Sequence, residues 1–228
     1  MRASESSRAL VCPASLVLPR TRSENPRRDA KAAKGTAMHL WKETGVVTPD
    51  IEKKIRTSGV QRERWYPTNG GGRHEVTFAI QAFTEELVLY DPKLHLVSAD
   101  DWKKSFDPRK YLTGTIDWLD GTHVDDLKTG DWPVSAEESK QLRSYALVPY
   151  LLRGKPSGYR GLVSITQWTW YPLAGQPVRN WDVVTGAELE LFLDDVRYTL
   201  EHPEVVNPTD EGCKFCESKG HCPAWSEN

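Results

Sequence analysis

The stretch from Tyr111 to Gly130, Tyr-Leu-Thr-Gly-Thr-Ile-Asp-Trp-Leu-Asp-Gly-Thr-His-Val-Asp-Asp-Leu-Lys-Thr-Gly, constrains this chain more than any other. It reads as two strands joined at Asp120-Gly121, a dipeptide favoured in two-residue hairpin turns. With that turn, Leu119 pairs with Thr122 and Asp117 faces Val124. Side chains alternate across a sheet, so Asp126 shares the face of Asp117 as a diagonal neighbour, and Lys128 follows on the same face. Two acids and one base in a row admit two readings. In one they are solvated groups on a surface hairpin. In the other a hard divalent ion, Mg²⁺ or Mn²⁺, sits between carboxylates that otherwise repel each other. A bulge or a slipped register breaks the geometry.

The rest of the chain supplies layers for that hairpin. Residues 35–44 look helical, with Gly45 as the stop, and residues 45–72 are charged and irregular, ending in a Gly70-Gly71-Gly72 joint. Val76, Phe78 and Ile80 alternate as a strand, whereas 81–110 is ambiguous. A helix over 135–152, a Trp-rich strand over 159–171 and a further strand over 178–184 follow. A helix over 186–201 carries Leu189, Phe192, Leu193, Val196 and Leu200 at helical spacing and ends before Pro203. Alternating helices and strands predict an α/β fold with a central mixed sheet flanked by helices. Trp168, Trp170 and Tyr171 fit either base stacking or ordinary sheet packing.

The motifs around the hairpin carry a resemblance. Ile116-Asp117 and then Asp126-Leu127-Lys128-Thr129-Gly130 look like the D…D-x-K-T-G core of RecB-type nucleases in the PD-(D/E)XK superfamily. Gly35-Thr36-Ala37-Met38-His39 fits the G-x-x-x-H helix upstream, and Gln141 and Tyr145 fit a Q-x-x-x-Y helix downstream. No one piece is specific; the ordered set over residues 35–145 is. Ile116 replaces the proline of the motif's name. The resemblance implies a restriction-endonuclease-like core and cleavage of DNA, on single strands or at duplex ends. It implies His39, Asp117, Asp126 and the Leu127 carbonyl as Mg²⁺ or Mn²⁺ ligands, and Lys128 as the catalytic lysine. Glu75 matches a strand acid more loosely, and Gln141 and Tyr145 contact DNA or support the site.

All four cysteines fall at the two ends: Cys12, then Cys213-x-x-Cys216 and Cys222. Four thiolates can hold zinc or an iron–sulfur cluster. The one-plus-three arrangement resembles the iron-staple nucleases, including CRISPR-associated exonucleases and a small phage-encoded relative, which implies a structural 4Fe–4S cluster clasping the termini. Three units follow: an N-terminal segment over 1–34, a nuclease core over 35–205, and a cluster segment over 206–228. A nicking or structure-specific endonuclease, and an inactive DNA-binding or assembly subunit with structural zinc, are the competing readings. A second copy and a recombination partner protein are further candidate partners.

Charge is uneven. Residues 1–64 hold 14 Lys and Arg against 7 Asp and Glu, although the whole chain carries only −2. Arg20, Arg22, Arg27, Arg28, Lys31 and Lys34 form one cluster and Lys53, Lys54, Arg56, Arg62 and Arg64 another, either phosphate contacts or a solvated face. No run of about 18 apolar residues predicts a membrane span. Residues 1–12 lack a signal peptide's apolar core, so a cytoplasmic location, the host's if phage-encoded, is the expectation.

Overall fold

The computed structural model describes all residues except 21–25, 50, 51, 53–70, 129–134, 170–177, 210–212, 214, 215 and 226–228. Its helices are α1 (Ser6–Ala9), α2 (Pro26–Thr44), α3 (Ala99–Lys104), α4 (Lys140–Leu152) and α5 (Gly186–Glu201). The strands are β1 (Arg73–Gln81), β2 (Leu87–Leu89), β3 (Tyr111–Asp120), β4 (His123–Lys128), β5 (Val163–Thr169) and β6 (Val178–Val184). They form one six-stranded sheet in the order β2-β1-β3-β4-β5-β6. Only β4 and β5 run parallel; their connection carries α4, as a parallel crossover requires. The mixed α/β class expected from the sequence is therefore observed, with a mostly antiparallel sheet.

Local chemistry fixes the helix ends. Ser139 accepts a hydrogen bond from the Leu142 N–H and starts α4, five residues later than the periodicity implied. Thr185 and Glu188 form a reciprocal capping box, so α5 spans the predicted residues 186–201. Its Leu189, Phe192, Leu193, Val196 and Leu200 are buried, as their spacing required. α2 ends where predicted, with Gly45 at φ 77, but begins nine residues earlier. Most of the 45–72 segment, Trp170, Tyr171 and most of the basic clusters fall among residues not described.

The hairpin register differs from expectation. Asp120 pairs with His123, which leaves Gly121-Thr122 as the turn, and Leu119 pairs with Val124 instead of Thr122. Gly121 has φ 52, the positive value that a two-residue hairpin needs at its first position. Both Asp-Gly and Gly-Thr can close such a turn, and packing decided between them. In the observed register Leu119, Val124, Val163 and Ile165 all enter the main core. A shift by two residues would have kept the faces but unpaired that layer.

Two apolar clusters flank the sheet. The larger joins β1, β3, β4 and β5 to α4 and α5, and includes Met1, Ala3 and Ala9 from the first residues. The smaller holds Met38 and Trp41 of α2 against Trp118 and Leu127. Gly72 belongs to that second layer: a Cβ there would collide with the Trp118 ring. The last member of the glycine run thus makes room for an indole.

Candidate metal centre

One lateral row of residues crosses four strands. The pairs Val76–Ile116 and His74–Trp118 flank Glu75 and Asp117, setting these two opposite each other on β1 and β3. The pairing of β3 with β4 ends at Trp118–Asp125; beyond it the Leu127 N–H donates to the Asp117 carboxylate, which brings Asp117 beside β4, and Asp126 is paired with Gln167 on β5. Asp117 and Asp126, expected as diagonal neighbours, lie on adjacent strands within electrostatic reach of each other.

The pleat changes phase at this row. Val76 and Ile116 lie in the main core, yet His74 packs edge-on against Trp118, 4.5 Å between centroids, in the cluster on the other face. Residues two apart on a regular strand share a face, so alternation fails at Glu75 and Asp117. Glu75 has φ 50, in the left-handed region that a non-glycine residue enters at a cost. Local irregularities of this kind concentrate where a sheet must re-aim a side chain.

The result is a compact donor set. Ligand atoms of His39, Glu75 and Asp117 all lie within 4.8 Å of one another. His39 Nδ1 is 3.7 Å from Asp117 Oδ1 and 4.0 Å from Glu75 Oε1. Ligands around an octahedral ion at about 2.1 Å are separated by about 3 Å when adjacent and about 4.2 Å when opposite. The three groups therefore fit one divalent ion with little movement. α2 presents His39 because Met38 and Trp41 are held in the tryptophan layer. The other Asp117 oxygen accepts the Leu127 N–H at 2.6 Å. Leu127, expected to offer its carbonyl to the metal, touches Asp117 through its amide.

Asp126 lies outside that trio. Its Oδ2 is 2.8 Å from Lys128 Nζ and accepts from Gln167 Nε2 at 2.6 Å, while Oδ1 accepts from Gln141 Nε2 at 3.2 Å. Gln141 also accepts from Lys128 at 3.0 Å and donates to the Tyr145 hydroxyl at 2.6 Å. So Lys128, Asp126, Gln141 and Tyr145 make one connected network beside the donor set. Its members from α4 sit four apart on one face, the spacing the sequence showed. Asp125, the adjacent acid, points to the opposite face. There it accepts from Trp168 Nε1 at 3.1 Å and meets His123 Nε2 at 2.6 Å. Trp168 is therefore engaged in sheet packing and polar pairing.

Electrostatics follow from burial. Burial pushes the Asp117 carboxyl well above the usual carboxylate range; the Asp126 charge adds to this, and the Leu127 N–H opposes it. For Lys128, burial acts to lower the ammonium, but the Asp126 charge and hydrogen bond together with Asp117 outweigh it, and the net direction is up. Burial, then Asp126 and Asp117, hold the Tyr145 phenol neutral. The site thus has an excess of negative charge that one cation offsets incompletely, the condition in which a divalent ion is favoured.

Sequence reasoning overlooked Gln167. It is 1% exposed and donates from Nε2 to both the Asp126 carbonyl, at 2.9 Å, and its carboxylate. Its Oε1 is buried without a hydrogen bond among the described residues. The available signal was a carboxamide two positions from Ile165, on the face that Val163 and Ile165 turn inward.

The cysteines are not brought close together. No three sulfurs lie within 4.8 Å of one another among the described residues, although Cys12, Cys213, Cys216 and Cys222 all line one small cavity. Among the described residues, no helix is long and apolar enough to cross a membrane.

No protein-family model matches this chain, and no curated protein matches it. Among solved structures, the crystal structure of SSO0001 is similar over 98% of this chain and 86% of SSO0001, at 12% sequence identity and a TM-score of 0.43.

Proposed function

We propose that the chain is a divalent-metal-dependent deoxyribonuclease of the PD-(D/E)XK type, acting as an exonuclease on single strands or duplex ends. The observation that carries this reading is the convergence of His39, Glu75 and buried Asp117 beside the Lys128–Asp126 pair. A cation bound there supplies the charge that polarises a phosphate and acidifies an attacking water. The chain's own groups do the rest. Lys128, kept cationic by Asp126, offsets negative charge developing on the phosphate oxygens. Gln141 and Gln167 fix the Asp126 carboxylate, which orients the lysine. Tyr145 remains a neutral hydroxyl that positions Gln141. DNA as substrate, and the exonuclease mode, rest on the resemblance of the ordered motifs.

The four cysteines we assign to a structural 4Fe–4S cluster clasping the two ends. What supports this assignment is that all four line one small cavity and that their one-plus-three arrangement resembles that of the iron-staple nucleases. Protein purified without oxygen would be brown and contain iron; a colourless, zinc-loaded protein overturns the assignment.

Cleavage of end-labelled linear DNA and of closed single-stranded circles, each with Mg²⁺ or Mn²⁺, tests the main reading. Linear substrate is expected to be degraded and circles spared. Equal cleavage by Asp126→Ala and Lys128→Ala variants, or none by the wild type, refutes the nuclease assignment. Cleaved circles refute the exonuclease mode.

A further inference from the structure

Beside the N-terminal half of β3 lies a second cavity, of about 520 Å³. Five cationic side chains line it, Arg2, Arg20, Lys103, Lys104 and Arg109, against one carboxylate, Glu5. In a chain of net charge −2 this is a local reversal of sign. Part of it is neutralised: Arg20 pairs with Glu5 at 2.7 Å, Lys103 with Asp100 at 2.9 Å and Lys104 with Asp101 at 2.8 Å. Arg2 and Arg109 are exposed, and neither guanidinium forms an ion pair with a carboxylate among the described residues. Aromatic wall is present too, from Phe106 and Tyr111, whose rings lie 4.9 Å apart.

A side-chain contact joins the wall of this cavity to that of a hollow reaching Glu75 of the metal centre. A neighbouring hollow of about 530 Å³ is lined by Glu75 together with Thr115 and the start of α3. Lys103, at the other end of α3, donates to Thr115 Oγ1 at 3.1 Å, so the walls of the two hollows touch there. Along β3, Thr113 in the basic cavity and Asp117 in the metal centre are four residues apart, about 13 Å at strand spacing.

We infer that the basic cavity grips the phosphodiester backbone of the same single strand whose scissile phosphate lies at the metal centre, an assignment that rests on the nuclease reading. Cations that track a backbone, with aromatic walls beside them, are the means by which single strands are held without regard to sequence. The separation from the acids places the grip on nucleotides remote from the one cut. A nucleoside monophosphate shares the chemistry but cannot span the distance.

Binding of fluorescent oligothymidylates of graded length to the full chain in EDTA tests this without cleavage. Wild-type affinity is expected to rise once the strand passes about 4 nucleotides, the short end of single-strand site sizes. Arg2→Glu/Arg109→Glu is expected to abolish that rise and to lower the salt slope by about 1.4, two phosphate contacts at about 0.7 each. Should that variant misfold by circular dichroism, Arg2→Gln/Arg109→Gln gives the same reading. An unchanged slope and length dependence overturns the subsite even if the enzyme cleaves. A lowered slope in a protein that never cleaves refutes the nuclease reading alone. Displacement of the oligonucleotide by thymidine monophosphate at equal concentration overturns the strand as occupant.

Discussion

Asp117→Asn separates the cost of the acidic row from its use. Asp117 and Asp126 lie on adjacent strands and the Asp126 charge acts on Asp117; side chains facing each other across neighbouring strands are roughly 5 Å apart. Two charges at about 5 Å in an effective dielectric of about 20 repel by about 3 kcal/mol. Lys128, 2.8 Å from Asp126, cancels part of this and leaves roughly 1–2 kcal/mol. Asparagine retains an oxygen for the Leu127 N–H. Without metal, the variant should therefore melt about 2–8 °C higher than the wild type, at about 2–4 °C per kcal/mol for a chain of this size. With Mn²⁺ at 100 times its Kd the wild type gains about 2.7 kcal/mol, or about 5–11 °C, and the variant gains little. The order of stability should cross on adding metal. The same Asp117 sets the pH dependence. Its folded-state pKa is raised, so its contribution is fully present below the ordinary carboxylate pKa and lost as pH rises through the raised value. Metal-free wild type should lose stability over that window while Asp117→Asn does not, and Mn²⁺ affinity should rise as the proton leaves. Scanning calorimetry from pH 4 to 8, with and without Mn²⁺, reads all of this. A variant that melts lower without metal, or that keeps the Mn²⁺ response, refutes the reasoning.

Lys128→Met should reduce DNA cleavage by about 10²–10³-fold with an unchanged circular dichroism spectrum, because Gln141 and Gln167 still hold Asp126; residual activity near wild type argues against charge stabilisation by the lysine. Gln167→Leu should cost about 1–3 kcal/mol in urea titration, since it strips two donors from a buried carboxylate and its carbonyl; no change in midpoint means water replaces the amide. Cys216→Ser should bleach the visible absorbance of anaerobically purified protein, and a spectrum identical to the wild type removes Cys216 from the cluster.

The sequence was informative where physics is local or periodic. The spacing of Leu189, Phe192, Leu193, Val196 and Leu200, with Pro203 beyond it, located α5 and identified its buried face. Gln141 and Tyr145 were legible as a pair because four residues make one helical turn. The turn position was not legible, since Asp120-Gly121 and Gly121-Thr122 are both acceptable locally and the main core chose between them. Nor was the standing of Glu75 and Asp126. Strict alternation made Asp117 and Asp126 the natural pair, while Glu75 entered only as a looser match to the family resemblance. That ranking assumed a regular pleat, and the irregularity at φ 50 is a property of two strands and two packed layers together. Gln167 escaped because its partner lies 41 residues away on a strand paired in parallel.

The change of phase at Glu75 and Asp117 bears on how such chains vary. Strand residues before and after it answer to different partners: Val76 and Ile116 to α4 and α5, His74 and Trp118 to α2. Substitutions in the tryptophan layer can then be compensated within α2 without disturbing the larger core, and the reverse holds too. The two layers can drift independently while the acids between them stay fixed. A binary pattern searched through β1 or β3 as one strand would miss such relatives. The same pattern read with its parity inverted at the acid would find them.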